Sequence, residues 1–255
     1  MPRKIYRLTG ADRETFLQGL VTNDVRRLKD GIVYTALLTP QGKYLADFFL
    51  VPAGDAILLD IDDSLATPTI QRLSMYKLRA DVQIEESALH LHRGLGDVPA
   101  DGFADPRHPA LGWRAYRDAP ATTAEAQPDW DAIRVAHMIP ETGAELTPDT
   151  FILEAGFERL HGVDFRKGCY VGQEVTARMK HKTELRKGLA RIRLDAPVPP
   201  GTELTRNGKA AGQVHTVSGD RAIAYLRFDR AGDGMLAGDV AARWDEDSQT
   251  GQDPR

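Results

Sequence analysis

The chain has 255 residues, of which 42% are hydrophobic and 27% are charged, and its formal net charge is −4 at pH 7. This composition is typical of a globular protein of one to three domains, and the acidic balance argues against bulk electrostatic binding to nucleic acid. The single cysteine excludes an intrachain disulfide and cannot alone supply the thiolates of a conventional cluster or zinc site. No apolar run approaches the ~18 residues of a membrane span, and no apolar signal core is visible, so the sequence predicts a cytoplasmic protein.

The first part of the chain alternates helices and strands. Residues 11–29 predict a helix that the polar residues 22–24 interrupt, and short polar side chains there suit either a cap or a ligand contact. Pro40 and Gly42 predict a turn between two strands. The elements predicted after residue 30 are strand 32–38, strand 44–51, strand 56–61, helix 64–78 and strand 82–85. This order indicates an α+β layer with its helices on one face.

The rest of the chain is less regular until residue 186. Strand candidates lie at 88–95 and 113–117, and helix candidates lie at 130–138 and 173–181. Beyond residue 186, short strands recur, and Asn207-Gly208 predicts a tight hairpin. This spacing is typical of a small β-barrel or sandwich. The polar residues 245–255 predict a disordered tail.

The most informative stretch is Lys167-Gly168-Cys169-Tyr170-Val171-Gly172-Gln173-Glu174. Glycines bracket the cysteine, and glycine is used where a backbone turns sharply or approaches a ligand closely. If Lys167–Cys169 is extended, the two side chains project to one face and the ammonium favours the thiolate. A lone cysteine is more often a small buried hydrophobe, but such a residue gains nothing from a neighbouring lysine.

Positive charge concentrates around this stretch. Residues 156–190 contain eight Lys/Arg against four Asp/Glu. The cluster suits an anionic small molecule, although a solvated helix face explains the composition equally well. No phosphate loop or dinucleotide fingerprint stands in strand–helix context. Because no catalytic constellation is visible either, the sequence leaves open whether the protein is an enzyme.

The run at 167–174 resembles the signature of the YgfZ family, the folate-binding proteins of iron–sulfur protein maturation. That family is related in fold to the T-protein (aminomethyltransferase) of glycine cleavage. Further matching stretches are Phe16-Leu17-Gln18-Gly19, Thr22-Asn23-Asp24, Pro40-Gln41-Gly42-Lys43, Ile139-Pro140, Gly212-Gln213-Val214 and Ala222–Arg227. The resemblance implies an α+β fold with two α+β folate-binding subdomains of the aminomethyltransferase type, at 1–87 and 88–185. A small C-terminal β-barrel at 186–244 would follow.

Two departures separate the chain from the aminomethyltransferases. Where those enzymes typically carry paired aspartates after the glycine turn, this chain reads Leu45-Ala46-Asp47, with one carboxylate. Where they follow an arginine with a glutamate that holds the pterin, this chain reads Arg134-Val135-Ala136-His137. Losing that acceptor leaves donors of the pterin unmatched. The resemblance therefore favours the cysteine-bearing branch over aminomethyl transfer.

The resemblance implies a tetrahydrofolate-binding accessory protein that helps assemble or repair iron–sulfur clusters in client proteins. Cys169 would be the reactive or cluster-contacting thiol, and Lys167 would favour its thiolate. The residues that would shape the site are Gly168, Tyr170, Gly172, Gln173, Glu174 and Arg178. Glu174 and Arg178 lie four residues apart on one helix face, so a structural salt bridge is as good an interpretation as a functional contact.

Asn23, Asp47 and Arg134 would bind the folate, and a metal would meet Cys169 only through a shared cluster. The expected partners are iron–sulfur client or carrier proteins and the folate itself, without nucleic acid or membrane. Two alternatives remain open at this point. One is a folate-dependent, aminomethyltransferase-like one-carbon transferase, and the other is a non-catalytic folate-sensing regulator.

Overall fold

The computed structural model describes residues 2–121, 127–182 and 185–245. The chain divides into two compact units. The first contains the residues up to Pro128 together with Leu160–Ala177, and the second contains Asp129–Arg159 and the residues from Arg178 onward. The division into parts at residues 87 and 185 stays a prediction. The signature stretch, residues 167–174, lies in the first unit.

The first unit is built on a five-stranded antiparallel sheet in the order β2-β3-β4-β1-β5. Its strands are β1 (Arg3–Thr9), β2 (Val33–Leu38), β3 (Tyr44–Ala53), β4 (Ala56–Asp62) and β5 (Gln83–Glu86). β2 and β4 are buried at every position, which indicates that both faces of the sheet are covered there. The predicted turn between β2 and β3 is confirmed, with Gly42 at a φ of +75°.

β1 lies between β4 and β5, and the sequence analysis missed it. Arg3, Lys4 and Arg7 interrupt its short sequence and hide the apolar alternation by which a strand is recognised. Each of these side chains is paired with a carboxylate, while Ile5 and Leu8 enter the core. Ion pairing therefore makes a basic segment compatible with a place inside the sheet.

Two helices accompany this sheet, α1 (Arg13–Gln18) and α2 (Asp63–Lys77). α2 buries Ala66, Thr69 and Leu73, the spacing of an amphipathic helix that packs through one face. The predicted helix over 11–29 is shorter than expected: α1 ends at Gln18, and a 3-10 helix follows at Val25–Lys29. The polar residues 22–24 fall in the interruption, as the sequence indicated.

A three-stranded sheet completes the first unit, in the order β6-β8-β7. Its strands are β6 (His90–Gly94), β7 (Gly102–Ala104) and β8 (Trp113–Arg117). β6 and β8 were predicted. β7 was missed because it has three residues and lies between loops rich in glycine, proline and aspartate.

The second unit contains α3 (Trp130–His137) and a closed six-stranded barrel. The barrel strands are β9 (Lys187–Leu194), β10 (Glu203–Arg206), β11 (Lys209–Ser218), β12 (Arg221–Arg227), β13 (Met235–Ala237) and β14 (Val240–Trp244). Asn207 and Gly208 have φ values of +51° and +72°, so the predicted type I′ hairpin is confirmed. α4 (Gln173–Lys182) includes residues of both units.

Asp245, where the tail was predicted to begin, is held to the barrel. Its carboxylate lies 2.9 Å from Arg191 and 3.7 Å from Arg193, both on β9. The remaining residues of the predicted tail, 246–255, lie outside the described residues. None of the helices in the described part of the chain is long and apolar enough to cross a membrane.

Candidate functional site

The cysteine loop, residues 167–172, places an exposed thiol between two buried side chains. Cys169 is exposed and free, whereas Lys167 and Tyr170 keep only 6% and 7% of their surface accessible. Gly168 has a φ of +100°, a conformation that L side chains rarely adopt. The sequence analysis placed Lys167 and Cys169 on one face only on the condition that this segment is extended, and that condition stays untested.

The ammonium of Lys167 lies at the carboxyl end of α1. Nζ donates to the backbone oxygen of Gln18 at 2.7 Å and to that of Val21, and it lies 5.2 Å from the ring centroid of Tyr170. Burial lowers the pKa of Lys167 from 10.5 to about 8. The side chain thus caps α1. The effect of Lys167 on the thiolate of Cys169 stays a prediction.

The cysteine loop also meets the β2–β3 turn through two glycines. A Cβ on Gly172 would lie 2.6 Å from the backbone oxygen of Thr39, and a Cβ on Gly42 would lie 2.8 Å from Cβ of Val175. Gly172 and Gly42 both have positive φ, +86° and +75°. Only glycine therefore allows this approach. The fold brings together two stretches that the sequence analysis connected only by resemblance.

Gln173 closes the loop onto the start of α4. Its Oε1 accepts a hydrogen bond from the amide of Tyr170 at 3.3 Å, and its own amide donates to the backbone oxygen of Tyr170 at 3.2 Å. Glu174 and Arg178 are exposed one turn apart on this helix. Within the described part of the chain no ion pair joins them, so the salt bridge considered in the sequence analysis is not formed there.

Asn23 is buried, and its side chain is used within the fold. Nδ2 donates to the backbone oxygens of Tyr34 and His161 at 2.8 and 2.7 Å, and Oδ1 accepts from the amide of Asp24 at 2.8 Å. Both amide hydrogens are occupied, so no donor is left for a folate. Asp24 caps the 3-10 helix by accepting from the amide of Arg26 at 3.0 Å. This confirms the capping interpretation of the polar cluster for Asp24.

Asp47 on β3 is 5% exposed and lies between two tyrosines. Tyr34 donates to Oδ2 at 3.0 Å and Tyr44 to Oδ1 at 2.5 Å. Burial, and after it the negative charge of Asp47, raise the pKa of Tyr34 well above its ordinary value, which keeps that hydroxyl a donor. Both oxygens of the Asp47 carboxylate therefore accept a hydrogen bond from a tyrosine within the sheet.

Arg134 on α3 is the centre of a buried network in the second unit. Its five N–H groups face Ile139 O at 3.1 Å, Asp131 at 2.8 Å, Glu141 at 3.1 Å, Glu145 at 2.5 Å and Thr216 at 3.2 Å. Glu145 in turn accepts from the hydroxyl of Thr216 on β11 at 2.5 Å. Arg134 therefore joins α3 to the barrel and has no donor left for a folate.

Sequence reasoning missed a buried group of charges in the first unit. Asp60 on β4 accepts from Arg3 at 2.6 Å, from Arg114 at 2.5 Å and from Tyr116 at 2.8 Å. A carboxylate inside an apolar strand is stable only when it is paired. The sequence Leu58-Leu59-Asp60-Ile61 was therefore the signal that could have revealed this group.

The same buried group of charges also includes Asp105 and Arg107, and Arg107 lies against aromatic residues beside Asp47. Asp105 pairs with Arg107 at 2.8 Å and with Arg114 at 3.3 Å. Arg107 lies 4.9 Å from the ring centroid of Phe49 and 5.4 Å from that of Tyr34. Tyr34 is the residue that donates to Asp47, so the guanidinium of Arg107 lies against the ring of the tyrosine that binds the candidate carboxylate.

The basic cluster predicted from residues 156–190 is partly used within the fold. Arg159 donates to two backbone oxygens at the end of α3, at 3.0 and 2.7 Å. Lys180 lies 2.5 Å from the carboxylate of Glu158, and Lys167 is buried. Counting charges in the sequence therefore overstates the positive charge that an anionic ligand would meet.

In the cysteine loop, the side chain suited to bind a metal is the thiol of Cys169. Across residues 2–121, 127–182 and 185–245, no three His, Cys, Asp or Glu side chains come together as a metal site. A single exposed thiol provides one soft ligand.

Comparison with known proteins finds relatives along most of the chain. Residues 186–250 match the family model described as the CAF17 C-terminal beta-barrel domain. The mitochondrial iron-sulfur cluster assembly factor IBA57 of Mus musculus is 32% identical over an alignment of 272 positions, gaps included, that covers 89% of this chain and 76% of that protein. The Homo sapiens protein of the same name is 29% identical, over 88% of this chain and 75% of its own length.

A solved structure shows the same fold. The glycine cleavage system aminomethyltransferase T from Bartonella henselae matches 94% of this chain and 81% of its own, with a TM-score of 0.73 and 16% identity. At that identity the likeness concerns the fold alone. The predicted class, an aminomethyltransferase-like α+β fold with a C-terminal β-barrel, is confirmed.

The relatives correct one prediction and refine another. Their names place them in mitochondria, so the prediction of a cytoplasmic protein is wrong by this comparison. The names support the iron–sulfur part of the resemblance, although they read IBA57 where the sequence analysis named YgfZ. They mention no folate.

Proposed function

This chain belongs to the IBA57 family of iron–sulfur cluster assembly factors, and from that membership we propose that it helps assemble or repair iron–sulfur clusters in client proteins. The observation that carries the proposal is the exposed thiol of Cys169, held between the buried side chains of Lys167 and Tyr170. Thiolate sulfur is the ligand that iron in clusters prefers.

The cluster is cargo that Cys169 shares with another molecule. Conventional clusters are held by about four thiolates, and this chain has one cysteine. The other ligands therefore come from a client, a carrier protein or a second copy of this chain. Glu174 and Arg178, exposed on the helix that follows the loop, offer charged contacts to such a partner.

Deletion of the gene followed by complementation tests this function. Enzymes that depend on iron–sulfur clusters should lose activity in the deletion strain and regain it with the wild-type gene. Cys169→Ala should restore little activity, whereas Ser74→Ala, a change at an exposed serine of α2, should restore it fully. Full rescue by Cys169→Ala would show that the thiol has only a structural role, and it would contradict the proposal.

The second part of the proposal is tetrahydrofolate, or another reduced folate, as a ligand. Its support is the aminomethyltransferase-like fold together with the buried carboxylate of Asp47 between Tyr34 and Tyr44. A pterin ring presents N–H donors that pair with a carboxylate. When bound, a reduced folate supplies a carrier of one-carbon units. Asn23 and Arg134 do not fit the binding role, because their donors are used within the fold.

Calorimetry with tetrahydrofolate tests the ligand separately from the cluster function. Wild type should bind saturably, and Asp47→Asn should bind at least about tenfold more weakly, because a charge-assisted hydrogen bond is lost. Asp55→Asn is the matched control, since that carboxylate is exposed and paired with Arg7. If the wild type shows no saturable binding at millimolar tetrahydrofolate, the proposal that the protein binds a reduced folate is contradicted. If the protein is instead a one-carbon transferase, the Asp47→Asn gene should fail to complement the deletion strain and the Cys169→Ala gene should succeed.

A further inference from the structure

We infer that Gln18, which lies outside the cysteine signature, is a positioning residue for Cys169. The inference rests on the proposed function, because it concerns how the thiol is presented to the molecule that shares the cluster. It is carried by the contacts that Gln18 makes with residue 167, which is 149 positions away in sequence.

Every polar atom of the Gln18 side chain is used. Nε2 donates to the backbone oxygen of Lys167 at 3.2 Å and to Oδ1 of Asp24 at 3.0 Å. Oε1 accepts from the amide of Val25 at 2.8 Å. The backbone oxygen of Gln18 accepts from Nζ of Lys167 at 2.7 Å. Gln18 and Lys167 therefore hold each other in both directions, side chain to backbone.

This double contact fixes the start of the cysteine loop. Residue 167 is held at its ammonium and at its carbonyl, and the next residue, Gly168, sets the direction of the chain with a φ of +100°. On the other side of Cys169, the amide and carbonyl of Tyr170 are held by Gln173. The exposed thiol thus lies between two fixed points, and Gln18 supplies one of them.

A fixed thiol suits a ligand that is shared. Bond formation to iron needs the sulfur at one distance and direction, and displacement of a reacting group by about 1 Å can cost 100-fold in rate. A loop that is ordered before the partner arrives also avoids the loss of conformational entropy on binding. Gln18 therefore acts through Lys167 and the loop, without contact to the cluster.

Hydrogen exchange with mass spectrometry on the purified full-length protein tests the positioning. In Gln18→Met the side chain keeps its length and loses its hydrogen bonds, so exchange at amides 168–172 should become about tenfold faster. Gln83→Met is the matched control, because Gln83 is an exposed glutamine of the same unit whose Nε2 meets Asp81 at 3.2 Å. Exchange in β3 and β4 should be unchanged in both variants.

Complementation supplies the functional readout. Gln18→Met should restore cluster-enzyme activity about tenfold less well than wild type, and Gln83→Met should match wild type. If Gln18→Met folds poorly, Gln18→Glu serves instead, because it keeps the acceptor for Val25 and loses the donor to Lys167. It should loosen the same amides and lose the same activity.

Three results would overturn the inference. The first is unchanged exchange at 168–172, and the second is exchange that rises equally throughout the first unit. The third is full activity of Gln18→Met in a strain where Cys169→Ala is inactive. A fully active Cys169→Ala would instead remove the proposed function, and the exchange at 168–172 alone would then decide whether Gln18 positions the loop.

Discussion

Arg114 and Asp60 join the two sheets of the first unit through a buried ion pair. Arg114 on β8 and Asp60 on β4 are 54 residues apart in sequence. Nη2 lies 2.5 Å from Oδ2, and the two side chains are 3% and 0% exposed. Asp60 also accepts from Arg3 on β1. One carboxylate therefore neutralises cations from both sheets in a place that water does not reach.

Replacement of Asp60 by asparagine should destabilise the protein strongly. Asp60→Asn keeps the shape and leaves Arg3 and Arg114 without their shared negative charge, and breaking a buried pair in this way costs about 3–5 kcal/mol. Asp55→Asn, at an exposed pair, should cost at most ~1 kcal/mol. Urea unfolding of both variants measures the difference. A cost below about 1 kcal/mol for Asp60→Asn would contradict the prediction.

The same carboxylate predicts how stability changes in acid. Burial would raise the pKa of Asp60, but Arg3 and Arg114 outweigh burial and lower it from 3.8 to about 2. Between these values the unfolded chain binds the proton and the folded chain does not, so stability falls as the pH falls from about 4 to about 2. Unfolding free energies of wild type and Asp60→Asn should converge over this range. A difference that stays constant from pH 5 to pH 2 would exclude this explanation.

Local features of the fold were predictable, and long-range pairs were not. The hairpin at Asn207-Gly208 and the helix from Gln173 follow from neighbouring residues, and both were predicted. The role of Lys167, to favour the thiolate of Cys169, was predicted from the closeness of the two residues in sequence. Its ammonium instead binds the carbonyl of Gln18, 149 residues away. Asn23 illustrates the same limit, because residue type suggests a ligand contact and only burial shows that its amide is already used.

The contact between the cysteine loop and the β2–β3 turn predicts a sensitive glycine. Gly172→Ala puts a Cβ 2.6 Å from the backbone oxygen of Thr39, and backbone cannot move aside as a flexible side chain can. Gly54→Ala is the matched control, because Gly54 has a φ of +62° and nothing within 4 Å of its Cβ position. Both variants carry the strain of positive φ, about 1–2 kcal/mol. Gly172→Ala should lose a further ~1–3 kcal/mol from overpacking.

Thermal unfolding compares the two glycine variants, and complementation compares their function. Gly172→Ala should also reduce cluster-enzyme activity, because the loop that bears Cys169 is displaced. Equal melting temperatures for Gly172→Ala and Gly54→Ala would mean that the turn yields to the added methyl group, against the prediction.

The network around Arg134 predicts that lysine cannot replace arginine there. Arg134→Lys keeps the charge but loses the planar fork that reaches Glu145 and Thr216 at once, and an arginine in such a site is not exchangeable for lysine. The loss of stability should be about 3 kcal/mol or more. Arg117→Lys, at an exposed pair with Asp101, should change stability by less than ~1 kcal/mol. Similar unfolding curves for the two variants would refute the role of the fork.

The buried ammonium of Lys167 predicts a change of stability in alkali. Burial lowers its pKa from 10.5 to about 8, so between these values the unfolded chain binds a proton that the folded chain has released. The wild type should therefore become more stable relative to Lys167→Met as the pH rises from about 8 to about 10.5. Below pH 8 both states are protonated, and the difference between the two proteins should be constant.

Besides burial, charged groups near this ammonium act on its pKa: Asp24 and Asp164 raise it and Arg26 lowers it. Pairing with each other lowers the pKa of Asp24 and raises that of Arg26, so both keep their charge between pH 8 and pH 10.5. Methionine keeps the length of the side chain, so the comparison removes the ionisation and leaves the stem that packs beside Tyr170. Urea unfolding at pH 7, 8, 9 and 10 measures the difference. A difference that does not change between pH 7 and pH 10 would show that the ammonium is as well solvated in the folded chain as in the unfolded one.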